Sequence, residues 1–282
     1  MKRFVKPVIA GVMYPLSQLI IGIITVLIIA AVNHDVNAIV SASNSVTMTL
    51  LLALLSGIIT VLFAWRPLKM YKLPEEIKPA GVSPITSILI VLAAFCGISA
   101  ISFINSYLGL PNLIENLMLS ASVSVLGIVV ICIAGPILEE IIFRGAALGY
   151  MLRKGVNSKV AIIVSALIFG IIHINPAQIF MATFIGLILG VIYYKTRNII
   201  LTSVIHIINN SMACFLTATF PEETTKNDTQ LHEMVGVAPA IIIILSGIAI
   251  CVFALMRLLK TQKAQLADNL IKEESTAENG TN

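Results

Sequence analysis

Residues 135–145 read Gly-Pro-Ile-Leu-Glu-Glu-Ile-Ile-Phe-Arg-Gly, GPILEEIIFRG. Two adjacent glutamates and an arginine stand here inside a run that is otherwise apolar from about Ser120 to Leu152. A charge at the centre of a membrane helix costs roughly 2.5–3.5 kcal/mol on insertion scales. Glu139, Glu140 and Arg144 fall within six positions, so the rest of the chain must supply whatever offsets them.

The composition around this run is that of a membrane protein. Of the 282 residues, 58% are hydrophobic and 11% charged, against about 25% charged in a soluble domain. The mean hydropathy is +0.99. A net charge of +4 gives no sign of nucleic-acid binding. Cys96, Cys132, Cys214 and Cys251 all lie in apolar runs. They read as small hydrophobes, neither a disulfide framework nor a metal cluster. The basic start MKRFVKP precedes an apolar run longer than the ~7–15 residues of a signal-peptide core, so it is expected to remain as a first span.

A helix crosses the hydrocarbon layer with about 20 residues, and eight segments qualify. They run from about Val8 to Val32, Val46 to Trp65 and Pro84 to Tyr107, then along the run ending near Leu152. The others run from about Ser158 to Ile174, Pro176 to Tyr194, Asn198 to Phe220 and Val237 to Leu259. Threaded this way, of the 18 basic residues only Lys226 falls opposite the rest, discounting Arg144 inside its span. The positive-inside rule then makes the basic side, with both termini, cytoplasmic. The expected fold is an all-α polytopic membrane helix bundle of about eight transmembrane helices. Residues 1–260 form one integral-membrane domain with a catalytic core at about 120–220. A polar tail, 261–282, has no apolar periodicity and is expected to be disordered. No internal repeat is evident.

The intramembrane ionisable groups fall on the fourth, fifth and seventh spans alone: Glu139, Glu140 and Arg144, then His173, then His206 with Asn210 one turn on. At 1.5 Å per residue, Glu139 and His173 both lie roughly 21–22 Å from the Arg153-Lys154-Gly155 turn, and can face each other. The fourth run, at roughly 50 Å, is too long for one perpendicular helix. It is expected to tilt or break near Gly135-Pro136, where proline removes a backbone hydrogen bond. Glu140 and Arg144 are four apart and share a face as an ion pair, acid first. Glu139 points about 100° away and lacks that partner. Clustering at depth points to one polar pocket. A carboxylate kept out of water is a stronger base and can accept a proton near neutrality. An imidazole beside it can orient water, and a second imidazole with an amide can donate to the oxyanion of a tetrahedral intermediate.

This set resembles the CPBP family of intramembrane proteases, which includes the CAAX prenyl endopeptidases and bacterial relatives linked to peptide processing and bacteriocin immunity. The motifs EExxxR, FxxxH and His with Asn four later stand here as Glu139-Glu140-Ile-Ile-Phe-Arg144, Phe169-Gly-Ile-Ile-His173 and His206-Ile-Ile-Asn-Asn210. The resemblance implies that Glu139 and His173 activate water, that His206 and Asn210 stabilise the oxyanion, and that Glu140–Arg144 is structural. It implies a membrane-associated peptide or protein as substrate. Composition sets the lipid bilayer as surroundings with no nucleic acid, and the compact chain with short loops points to a prokaryotic cell membrane. The metal question stays open: Glu140, His173 and His206 could supply three zinc ligands with Glu139 as base. A metal-free reading without cofactor is preferred, because no HExxH is present and a glutamate bound to Arg144 is a poorer ligand. Two rival classes carry similar residues, a proton-coupled transporter and a non-catalytic membrane partner such as a pseudoprotease or immunity protein. The PNLIENLML segment, 111–119, reads as an interfacial helix serving as scaffold.

Overall fold

The computed structural model describes residues 2–33, 45–70, 82–220 and 236–257. Among them are α1 (Lys2–Asn33), α2 (Val46–Trp65), α3 (Pro84–Leu108) and the short α4 (Glu115–Ser122). Then come α5 (Val125–Arg153), α6 (Ser158–Ile171), α7 (Pro176–Thr196), α8 (Ile199–Thr219) and α9 (Val237–Arg257). The described residues contain no strand. Seven helices are long and apolar enough to cross a membrane, and α6 is a shorter apolar helix of 14 residues. The chain is an all-α, multi-pass integral membrane bundle. The eight expected spans correspond one for one to α1–α3 and α5–α9. The polar tail from 261 on, Lys226, His34 and His232 lie outside the described residues.

Local chemistry sets the helix starts. Ser45 Oγ accepts from the Met48 N–H at 3.3 Å, Ser83 Oγ from the Thr86 N–H at 3.2 Å, and Asn198 Oδ1 from the Leu201 N–H at 3.0 Å. Each side chain satisfies one of the free donors of a first turn. Gly109, at φ 54, ends α3 in the left-handed conformation that a side chain disfavours.

Two expectations need correction. The long fourth run does divide, but at Val123-Ser124, where the Ser124 Oγ accepts the Gly127 N–H at 2.9 Å and opens α5. The chain stays helical through Gly135-Pro136. A π-helical stretch, Ile128–Ala134, leads into the proline, and the Gly135 N–H reaches back five residues to the Val130 carbonyl. In that register the next acceptor is Ile131, and Pro136 has no N–H to give it. A second π-helical stretch, Ile141–Leu148, follows the glutamates. The other correction concerns His173, expected inside the fifth span. α6 ends at Ile171, and His173 stands in the turn before α7. Pro176 is the cause: it starts α7, and Asn175 before it is held extended at φ −91, ψ 118.

α5 lies at the centre, packed on α1, α2, α6 and α8. α6 and α7 form a tight antiparallel hairpin. Gly170 permits it: a Cβ there would sit 2.0 Å from Thr183 Oγ1 and 2.9 Å from the Ile179 carbonyl oxygen. One end of the bundle gathers three basic segments. Arg3 Nη1 donates to the Gly155 carbonyl at 3.3 Å, Lys6 Nζ to that of Leu68 at 2.7 Å, and Arg153 to that of Met70.

Candidate active site

Glu139 and Glu140 lie in the short α-helical turn between the two π-helical stretches of α5. Glu140 is fully buried, and its Oε1 is 2.9 Å from Arg144 Nη1, the pair that the i,i+4 spacing predicts. The Arg144 guanidinium lies over the Phe169 ring, 4.6 Å from its centroid, so its charge meets both a carboxylate and an aromatic face.

His206, from α8, joins the two glutamates. Its Nδ1 is 3.0 Å from Glu140 Oε1, and its Nε2 is 3.7 Å from Glu139 Oε2. The buried carboxylate held by Arg144 acts as acceptor, so Nδ1 carries the hydrogen and Nε2 faces Glu139. The bond to Glu140 was not foreseen from sequence, where Glu140 had only Arg144 as partner. The Glu139 side chain is 13% exposed and so is the accessible carboxylate of the two.

His173 reaches this group through Phe169. Its Nδ1 is 2.8 Å from the Phe169 carbonyl, which can only accept, so Nδ1–H donates and Nε2 keeps its lone pair in the neutral ring. The Phe169 ring meets both imidazoles edge to face, at 5.1 Å from His173 and 5.8 Å from His206. It also packs on Phe143 at 5.0 Å. Read from sequence, Phe169 was packing one turn from His173. It is the common neighbour of both histidines and Arg144, and the FxxxH spacing was the only signal of it.

Asn210 is bound to the backbone of α5. Its Nδ2 donates to the Ile131 carbonyl at 3.0 Å, the acceptor left over by the π-register and Pro136. Its Oδ1 accepts from Asn209 Nδ2 at 3.0 Å. His206 and Asn210, one turn apart on α8, therefore meet α5 at two separate points, Glu140 and Ile131.

Of the three residues that a metal would draw on, Glu140, His173 and His206, Glu140 keeps one oxygen, Oε2, buried without a hydrogen-bond partner. Glu140 Oε1 is shared between Arg144 and His206. Among the described residues, no three or more His, Cys, Asp or Glu side chains gather closely enough to hold an ion.

A buried glutamate–arginine pair, a second and more accessible glutamate, and two histidines around one phenylalanine define a polar site inside a multi-pass membrane bundle. Residues 121–212, which carry all of it, match the family described as Type II CAAX prenyl endopeptidase Rce1-like. The chain is also similar to "Putative membrane peptidase YdiL" of Bacillus subtilis (strain 168), 34% identical over 89 residues, 32% of this chain. The match spans 36% of that relative's length. No solved structure matches the chain. The motifs and these two similarities support a likeness to the CPBP proteases over this stretch of the chain.

Proposed function

We propose that this protein is an intramembrane endopeptidase that cleaves a membrane-associated peptide or protein by water activated at Glu139. The observation that carries the reading is His206 lying between the two glutamates, with Phe169 linking His173 to the same place. Glu139 takes a proton from water that His173 Nε2 helps to orient. The resulting hydroxide adds to the scissile carbonyl carbon. As the C–N bond breaks, Glu139 returns the proton to the leaving amine. General acid–base assistance of this kind contributes typically about 10²–10⁴-fold.

His206 and Asn210 stabilise the oxyanion. Arg144 pairs with Glu140. His206 gives its Nδ1–H to Glu140, and in the oxyanion-bound step a hydrogen on Nε2 is donated to the oxyanion. Asn210 gives one Nδ2 hydrogen to Ile131 and has a second to offer. The donor allocation favours a route without a metal, because the Glu140 oxygen nearest His206 is already committed to Arg144 and the ring. The site faces peptides held at or in the bilayer, in a prokaryotic cell membrane with both termini cytoplasmic.

The test incubates wild type and Glu139→Gln, reconstituted in liposomes, with a membrane-peptide library, with and without a chelator. New peptide termini are read by mass spectrometry. Wild type cleaves, the chelator leaves the rate unchanged, and Glu139→Gln is folded but inert. Cleavage by Glu139→Gln sinks the mechanism, and loss of activity in chelator transfers it to a metal. A transporter or non-catalytic partner yields no new termini.

A further inference from the structure

The turn that presents His173 is strained. Ile174 has φ 59, the left-handed region that a β-branched side chain rarely enters. The Asn175 N–H bonds back to the His173 carbonyl at 2.6 Å and closes a three-residue turn around Ile174. Such conformations persist only where the surroundings over-determine them.

The Asn175 side chain supplies that constraint. It is 2% exposed. It occupies the N-cap of α7 yet makes no capping bond to the helix, the use its position offers an asparagine. Instead its Oδ1 accepts the Leu113 N–H at 2.9 Å, and its Nδ2 donates to Asn112 Oδ1 at 2.9 Å. The Ala177 N–H adds a bond to the Pro111 carbonyl at 3.3 Å. Residues 111–113, leading into α4, thus grip the far side of the turn, while the Phe169 carbonyl holds the His173 ring from α6.

We propose that Asn175, through its bonds to Asn112 and Leu113 and the strained turn at Ile174, is the positioning residue that fixes the His173 imidazole. Its effect on turnover rests on the peptidase reading above; its effect on the ring does not. A misplacement of about 1 Å can cost about a hundredfold in rate.

The experiment uses full-length wild type, Asn175→Ala and Asn112→Ala in liposomes, with histidine labelled in ¹³C and ¹⁵N. His173→Gln serves to assign the His173 ring signals. In wild type the His173 Nδ1–H gives one signal that exchanges slowly with water. Asn175→Ala splits or broadens it and speeds exchange at least about tenfold. Asn112→Ala, which keeps the Leu113 bond, shows a smaller change in the same direction. On a library peptide that wild type cleaves, kcat of Asn175→Ala falls about a hundredfold with KM within about twofold.

Unchanged ring signals overturn the proposal, and so do altered signals with unchanged kcat. If Asn175→Ala does not fold, Asn112→Ala decides by the same two readouts. If wild type cleaves nothing in the library, the peptidase reading falls, and the ring signals still decide whether Asn175 holds His173.

Discussion

His206 Nδ1 lies 3.0 Å from Glu140 Oε1, the same oxygen that Arg144 approaches at 2.9 Å from one turn along α5. The ion pair is therefore more than compensation for two charges in an apolar run. It keeps a hydrogen on His206 Nδ1 and turns Nε2 toward Glu139. Adjacent residues on a helix point about 100° apart, so the two carboxylates leave α5 in different directions. An imidazole from the facing α8 reaches both with its two nitrogens.

Replacing Arg144 with Met tests the pair. Glu140 is then left in a fully buried site without its cation, and breaking a buried pair from one side costs about 3–5 kcal/mol. Denaturant titration in detergent should show a loss of that size. The double variant Arg144→Met/Glu140→Leu replaces both charges by apolar groups and should recover most of it. Cleavage should stay low in the double variant, because His206 has lost the carboxylate that orients it. Recovery of activity together with stability would show that the pair is structural only.

Glu139→Gln should separate stability from chemistry in the opposite way. Glu139 is partly exposed, and its contact with His206 Nε2 is long, at 3.7 Å. The change should move stability by less than about 1 kcal/mol, as expected away from tightly paired groups. It should lower the cleavage rate by at least about a hundredfold, the lower end for loss of a general base. Thermal unfolding and library cleavage on the same preparation provide both numbers.

The helices were legible because their signal is long. Twenty or so apolar residues between polar loops can do little else in a bilayer, and Val46–Trp65 was found to the residue. The Glu140–Arg144 pair was legible because it is local, four residues apart on one helix. What sequence did not show is the backbone register. Nothing in IVVICIA announces a π-helical stretch, so Pro136 read as a break when its missing N–H was answered from α8. The end of α6 was obscured similarly: hydropathy runs on through Ile174, and only Pro176 marked where the helix had to stop. His206 bridging both glutamates is a relation between helices 66 residues apart in sequence, on which spacing within one helix has no bearing.

Gly170→Ala should disturb the hairpin that carries His173. The new methyl would meet Thr183 Oγ1 at 2.0 Å and the Ile179 carbonyl at 2.9 Å, and the second is backbone that cannot rotate away. Overpacking of this kind costs typically about 1–3 kcal/mol. Shortening the obstacle in Gly170→Ala/Thr183→Ala should return only part of the loss, since the carbonyl contact remains. Full recovery of the unfolding midpoint would mean that the hairpin shifts more freely than its geometry indicates.

Asn210 and Pro136 should prove coupled. The Asn210 Nδ2 donates to the Ile131 carbonyl, and that carbonyl lacks a helical donor because residue 136 is proline in a π-register. Asn210→Ala leaves it unpaired, at about 1–3 kcal/mol for a buried polar group. Pro136→Ala restores an N–H in the right place, so the carbonyl no longer depends on α8. In the background Pro136→Ala, the cost of Asn210→Ala should shrink by about 0.5–3 kcal/mol, the range for residues sharing a partner. Denaturant titrations of the two single variants and the double variant close the cycle. Strict additivity would mean that the proline and the carboxamide do not share the Ile131 carbonyl. Activity should behave differently: cleavage should remain low in the double variant even where stability returns, because no second Nδ2 hydrogen is left for the oxyanion.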